Sequence, residues 1–415
     1  MNIPLLHRLK GNARGCLKYE PFFLIPYSMY STYATLYMYQ LGVDETGIGL
    51  ITSLGLVMSI VSSLMSGYLT DRMGRKRAIL YFDLLSWTLG TLIWAFAQNI
   101  WFFVAAALVN GFAKIPNTAF YCLLVEDTPP KERSFVFTVL QFVGVVGGLF
   151  APLGGLIVNH YTLVPGMRIL YGIACVFMTY QFIGRHFETR ETEMGYRKME
   201  ETRQHSAAGR QGWIAYFREA RPLFSSKPLL LLFGVYILFN FQSTLKSTFL
   251  SLYMVEYLHV REEIISLFPA LSSIVMLLFL WLLLPRIPER ALLPAMQWGF
   301  ALSVLSTVLL LLAPTGDIVV LSLSTVVGAV GTLLTAPYLE TVVANALDDS
   351  NRANLFAILS VFILVFTSPA GVVGGWSYKM NPMMPFYLTV AAFALCMVLL
   401  FLYQRMEGHG NRTPQ

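Results

Sequence analysis

The chain has 415 residues, 56% of them hydrophobic and 13% charged, with a formal net charge of +6. Soluble domains carry about 25% charged residues, so this composition excludes a soluble globular protein. The apolar residues fall in long blocks, matching a hydrocarbon core that takes about 20 helical residues to cross. Backbone amides in lipid must be satisfied inside a helix or a closed barrel. The blocks lack the alternation of barrel strands over about 10 residues, so an all-α membrane protein is expected.

In chain order the predicted spans lie near 21–42, 47–69, 78–97, 100–125, 134–158, 166–184, 228–257, 263–284, 291–313, 318–344, 354–377 and 383–403. Twelve crossings put both termini on one side. Residues 185–227 form the only long polar segment, a mixed-sign run that reads as solvated helix or connector. The expected organisation is a six-helix bundle over 1–184, a linker over 185–227 and a second six-helix bundle over 228–415.

Lysine and arginine decide which side the termini occupy. One face holds Arg168, Arg261 and Lys379; Lys114 and Lys246 lie within spans, and all the other basic residues fall on the face with the termini. The positive-inside rule then places both termini and the linker in the cytoplasm of a multi-pass cell-membrane protein. The net charge is a topology signal and implies no nucleic-acid partner. Cys16, Cys122, Cys175 and Cys396 stand alone, with neither CxxC spacing nor a metal-ligand pattern. No small-residue cleavage site marks a removed leader. The six histidines do not cluster, and HExxH, GxSxG and GxxxxGK[ST] are absent, which argues against an enzyme, a resident cofactor and an ATP-driven pump.

The halves echo each other. Tyr37-Met38 leads to Leu41-Gly42-Val43 as Tyr253-Met254 leads to Leu258-His259-Val260. Basic turns end Arg77-Ala78-Ile79-Leu80 and Arg290-Ala291-Leu292-Leu293. Spans five and eleven share a proline-glycine centre, at Pro152-Leu153-Gly154-Gly155 and at Pro369-Ala370-Gly371 with Gly374-Gly375. The common order of these echoes points to a pseudo-symmetric pair of bundles.

Between spans two and three runs Gly67-Tyr68-Leu69-Thr70-Asp71-Arg72-Met73-Gly74-Arg75-Lys76-Arg77. This resembles the signature loop of the major facilitator superfamily (MFS), in a drug-exporter-like form, and fills every position of its pattern. The resemblance implies the MFS fold: 12 transmembrane helices in two pseudo-symmetric six-helix bundles, usually monomeric. It assigns Gly67, Asp71, Arg72, Gly74 and Arg75 to a conformational gate. Asp71 is expected to help hold the two halves together by capping a helix N-terminus across the domain interface, and Arg75 to pair with Glu126 or Asp127, with Arg133 beyond. Ala151-Pro152-Leu153-Gly154-Gly155 partly matches the antiporter motif of drug exporters, and close helix packing explains the same small residues. Span four reads Ala107-Leu108-Val109-Asn110-Gly111, without the arginine of proton-antiport exporters.

In that fold spans one, four, seven and ten line the central cavity. Lys114, Lys246 and Glu340 fall on three of them, and an intramembrane charge generally faces a cavity or a partner. At about 1.5 Å per residue, Glu340 lies about 6 Å from the cytoplasmic end, Lys114 about 16 Å and Lys246 about 27 Å. Such stagger suits a ladder along a pathway. Tyr30, Tyr33 and Tyr37, with Tyr27, share one helical face and suit either ring stacking with a ligand or packing. Asn110, Asn117, Asn240 and Gln242 add polar groups for ligand or interhelical bonds. Asp83, near the end of span three, is expected in the gate region or in solvent. The reading is a secondary transporter of a small solute working by alternating access, with proton-coupled efflux ahead of proton-coupled uptake of a sugar or anionic metabolite. A non-transporting membrane sensor is the alternative of another class.

Overall fold

The computed structural model describes residues 9–204, 226–282, 292–346 and 352–410. The repeat expected at Arg290-Ala291 and the middle of the linker, 205–225, lie outside the described residues. The helices in order are α1 (Gly11–Tyr19), α2 (Pro21–Ser31), α3 (Ala34–Gln40), α4 (Glu45–Met73), α5 (Arg75–Asp83), α6 (Gly90–Ala95), α7 (Ile100–Asn110), α8 (Lys114–Val125), α9 (Pro130–Gly148) and α10 (Ala151–Tyr161). There follow α11 (Leu163–Glu188), α12 (Glu193–Gln204), α13 (Lys227–Leu252), α14 (Glu262–Ile265), α15 (Leu267–Leu282), α16 (Leu292–Leu312), α17 (Ile318–Ala346), α18 (Arg352–Thr367), α19 (Ala370–Met380) and α20 (Met384–Gly410).

Among the described residues, eleven helical segments are long and apolar enough to cross a membrane. The first expected span, 21–42, differs: α2 and α3 are separated by a turn at Thr32 and Tyr33, closed by the Tyr33 amide donating to the Tyr30 carbonyl at 3.0 Å. Starts and stops follow local chemistry. Asp44 accepts from the Gly47 amide at 2.9 Å to cap α4, and Asn99 accepts from the Trp101 amide at 3.1 Å to cap α7.

The α4 side chains show what solvent the fold is built for. Its buried positions include Ser53, Ser62, Ser66 and Thr70, while Leu50, Val57, Val61 and Met65 are exposed. Small polar residues inside and large apolar ones outside invert the pattern of a water-soluble helix. Lipid resolves the inversion, because an outer apolar face costs nothing against hydrocarbon and small residues let helix backbones approach.

Packing divides the chain into two units, Met1–Ala207 with Glu262–Ala270, and Ala208–Arg261 with Leu271–Gln415. In the first, α1 is wedged at one end, with Cys16 and Leu17 buried against Ala78, Ile79, Leu123 and Val136. Glu262–Ala270 joins this unit, unlike the expected 228–415 bundle, because it packs on α10: a methyl at Gly155 would stand 2.2 Å from Ser266 Oγ. The Tyr33 hydroxyl also donates to the Glu262 carbonyl at 3.0 Å. In the second unit α16 and α17 are stitched by reciprocal bonds, each of Ser306 and Ser324 donating its hydroxyl to the other's carbonyl at 2.8 Å.

The sequence echo has a backbone counterpart within each unit. The Val43 amide bonds the Met38 carbonyl at 3.1 Å and the Val260 amide bonds the Met254 carbonyl at 2.9 Å. The residue before each valine is left-handed, Gly42 at φ 82 and His259 at φ 54. Glycine holds that conformation freely, whereas a side chain pays about 1–2 kcal/mol. His259→Gly is therefore expected to stabilise the protein by up to about 1 kcal/mol, after the extra chain entropy of glycine is subtracted. Denaturant unfolding in detergent measures this, and a loss of stability would count against the shared turn.

Candidate functional site

At the end of the first unit that holds α1, α4 runs into α5 through Gly74, whose backbone (φ 83, ψ 155) makes the corner. The Arg75 side chain turns inward and is 5% exposed. Its Nε and Nη2 donate to Glu126 Oε1 at 3.1 and 3.0 Å, and its Nη1 donates to Asp71 Oδ1 at 2.9 Å. A planar guanidinium is suited to this, since it presents several donors in one fixed fork. Of the two acids expected for Arg75, the structure selects Glu126. Asp127 instead accepts from Asn12 Nδ2 at 2.7 Å, and Asn12 Oδ1 accepts from the Arg190 amide at 2.7 Å, so α1 bridges the end of α8 to the start of the linker. Burial raises the Asp127 carboxyl above its ordinary value, and the Asn12 bond works against that shift.

Capping here belongs to Glu191. Its two carboxylate oxygens accept from the Arg75 and Lys76 amides, each at 3.0 Å, at the positive end of α5. Asp71 spends its Oδ1 on Arg75. The Thr192 hydroxyl donates to the second Glu126 oxygen and accepts from the Gly195 amide at 2.9 Å, which caps α12. The linker is thus a working part of the cluster: Glu191 and Thr192 lock the loop after α4 to α8 and α12. Arg72 lies outside it, exposed and stacked on the Tyr68 ring. Arg133 also departs from the expectation, since its Nε donates to the Thr128 carbonyl at 3.1 Å. Gly67 touches nothing that a methyl would meet within 4 Å.

Deeper in the unit lies a second cluster. Asp83, expected in the gate region or in solvent, is 6% exposed and ion-paired with Arg185. Arg185 also stacks over the Phe120 and Phe182 rings, 5.3 and 5.6 Å from their centroids. Beside it Gln181 Nε2 donates to Glu20 Oε2 at 3.1 Å.

The expected pathway residues are spread over both units. Tyr30 packs on the Tyr171 ring at 4.6 Å, and the Tyr37 hydroxyl donates to the Trp94 carbonyl at 3.1 Å. With Tyr33 on the Glu262 carbonyl, all three belong to a buried aromatic core. Asn110 is engaged at both ends, Nδ2 donating to the Ser86 carbonyl at 2.7 Å and Oδ1 accepting from Trp94 Nε1 at 3.3 Å. Asn117 is exposed on α8. On α13, Asn240 Nδ2 donates to the Tyr236 carbonyl and Gln242 Nε2 to the Phe239 carbonyl, both at 2.8 Å. Lys246 is half-buried, and its Nζ would lie 3.6 Å from a methyl at Gly328. Glu340 is exposed on α17. Among the described residues neither Lys114 nor Lys246 has an acidic partner at ion-pair distance.

The chain is similar to several known proteins. Two relatives, each a multidrug resistance protein MdtG, are 32% identical over 174 residues (from Salmonella arizonae) and 33% identical over 173 residues (from Salmonella typhi). Each match covers 39% of this chain and 42% of the relative, so the chain is matched over less than half of their length. Among solved structures, nucleoside transporter NupG superposes with a TM-score of 0.70 at 15% identity, covering 96% of this chain and 99% of that one. Peptide transporter POT in complex with sulfate gives 0.68 at 17% identity, covering 96% and 94%. These two likenesses establish the fold. A family model described as Major Facilitator Superfamily matches residues 22–323, and the chain belongs to that superfamily.

Proposed function

We propose that the protein is a secondary transporter that moves a small solute across the cell membrane by alternating access, exporting it in exchange for protons, with both termini in the cytoplasm. The observation that carries this reading is the charged latch of Arg75, Glu126, Asp71 and Glu191. It joins three membrane helices and the linker by contacts a conformational change can break and remake. The partial likeness to MdtG supports export. The active carriers are proposed as Lys114, Lys246 and Glu340, with Glu340 as the carboxylate that exchanges the proton.

Lys114 and Lys246, with no acidic partner among the described residues, favour a second reading in which the solute is an anion taken up with protons. Direction separates the two. In proteoliposomes with an imposed pH gradient, export predicts that a lipophilic fluorescent cation moves against the proton flow and stops when a protonophore is added. Glu340→Gln is expected to abolish substrate-driven proton movement while leaving ligand binding in place. Proton movement that survives this substitution removes Glu340 from the role. Ligand binding without flux under either gradient would make the protein a sensor.

A further inference from the structure

We propose that Glu20 is a proton-binding site of the first unit, carrying its proton as the acid half of a reciprocal pair with the Gln181 amide. Gln181 is 1% exposed, and its Nε2 donates to Glu20 Oε2 at 3.1 Å. Its Oε1 is buried and has no hydrogen-bond partner among the described residues. Buried amide oxygens are almost always paired, so this one wants a donor. A carboxylate has none to give. A carboxylic acid does: the amide N–H donates to one carboxyl oxygen, the carboxyl O–H donates back to the amide oxygen, and both side chains are satisfied.

Charge balance leads to the same place by a separate route. The groups that face Glu20 are Asp83 from α5, Arg185 and Gln181 from α11, and the Cys16 thiol from α1. Only Arg185 is cationic, and it is already ion-paired with Asp83 and held between two phenyl rings. Two carboxylates sharing one guanidinium, Asp83 buried and Glu20 half-buried, would leave an uncompensated negative charge, which drives one of the carboxyls to bind a proton. Asp83 holds the guanidinium directly and keeps its charge. Glu20, paired with a neutral amide, takes the proton.

Glu20 stands apart from the transport reading, since the claim concerns a bound proton and not flux. It adds a titratable carboxyl on α2's leading edge to the one proposed at Glu340. The test is infrared spectroscopy of the full-length protein in lipid nanodiscs, following the carbonyl stretch of protonated carboxylic acids as pH is raised through neutrality. The wild type is expected to show such a band at neutral pH, and Glu20→Gln to lose the intensity of one acid. Gln181→Leu gives a second readout: with its amide partner gone, the acid band should move to higher frequency. A wild-type spectrum without the band, a Glu20→Gln spectrum that retains it, or a Gln181→Leu band that stays in place overturns the assignment. If transport fails in vesicles while the band behaves as stated, the proton site survives and the transport reading does not.

Discussion

Replacing Arg75 with alanine should destabilise the protein by about 3 kcal/mol, the cost of leaving a largely buried carboxylate without its cation. Three guanidinium nitrogens make the bonds to Glu126 and Asp71, and the Arg75 side chain is 5% exposed against 17% for Glu126. Asp71, at 37%, retains water and contributes little. The penalty is therefore concentrated in the Arg75–Glu126 pair, and Arg75→Lys should recover only part of it, because an ammonium cannot serve both acids in the same plane. A double-mutant cycle with Glu126→Gln, followed by denaturant unfolding in detergent, should give a coupling of about 1–3 kcal/mol. Additive losses would show that the two side chains do not act as one contact. If the latch works as proposed, solute flux in Arg75→Ala vesicles should fall further than stability alone explains, since the fold can persist while one face no longer seals.

How legible this site was in the sequence depended on how far each contact reached. The Asp71–Arg75 bond joins residues one helical turn apart, and Glu126 sits where the loop motif expects an acid. The chain narrows the partner of Arg75 to Glu126 or Asp127, and it sets Asp71 one turn from Arg75 without marking the two as a pair. Glu191 and Thr192 could not be named, because the mixed-sign run around them looks like any solvated linker. A signal was present nonetheless: Thr192 just ahead of a helical run, with the acidic Glu193 in its first turn, is an N-cap pattern. Asp83 and Arg185 are 102 residues apart, and neither position carries a local mark of its partner. The turn shared by Gly42 and His259 was legible as an echo, although the sequence did not reveal that both residues would be left-handed. The break in span one was hidden because Thr32 and Tyr33 are ordinary helix residues and the stop lies in a turn that the sequence does not announce.

The two motif glycines are expected to respond with opposite signs. Gly67 lies within α4 with open space around it and no unusual φ, so Gly67→Ala should be neutral or stabilising by up to about 1 kcal/mol, the helix propensity gained. Gly74 is a different matter. At φ 83 and ψ 155 it occupies a region that is essentially reserved for glycine, and a side chain there costs about 1–3 kcal/mol in backbone strain alone. A methyl would also stand 2.6 Å from Glu191 Oε2 and 3.0 Å from Met199 Sδ. The carboxylate can swing away, but only by giving up the Arg75 and Lys76 amides, and hydrogen bonds to a charged acceptor contribute about 1.5–3 kcal/mol each. Gly74→Ala should therefore lose about 3 kcal/mol or more in the same unfolding assay. Glu191→Gln, which keeps the shape and removes the charge, should lose only part of that. Combining the two should cost less than their sum, because the alanine has already displaced the carboxylate. A Gly74→Ala protein as stable as wild type would mean that α5 does not depend on Glu191 for its start, and the linker would then have no hold on the loop.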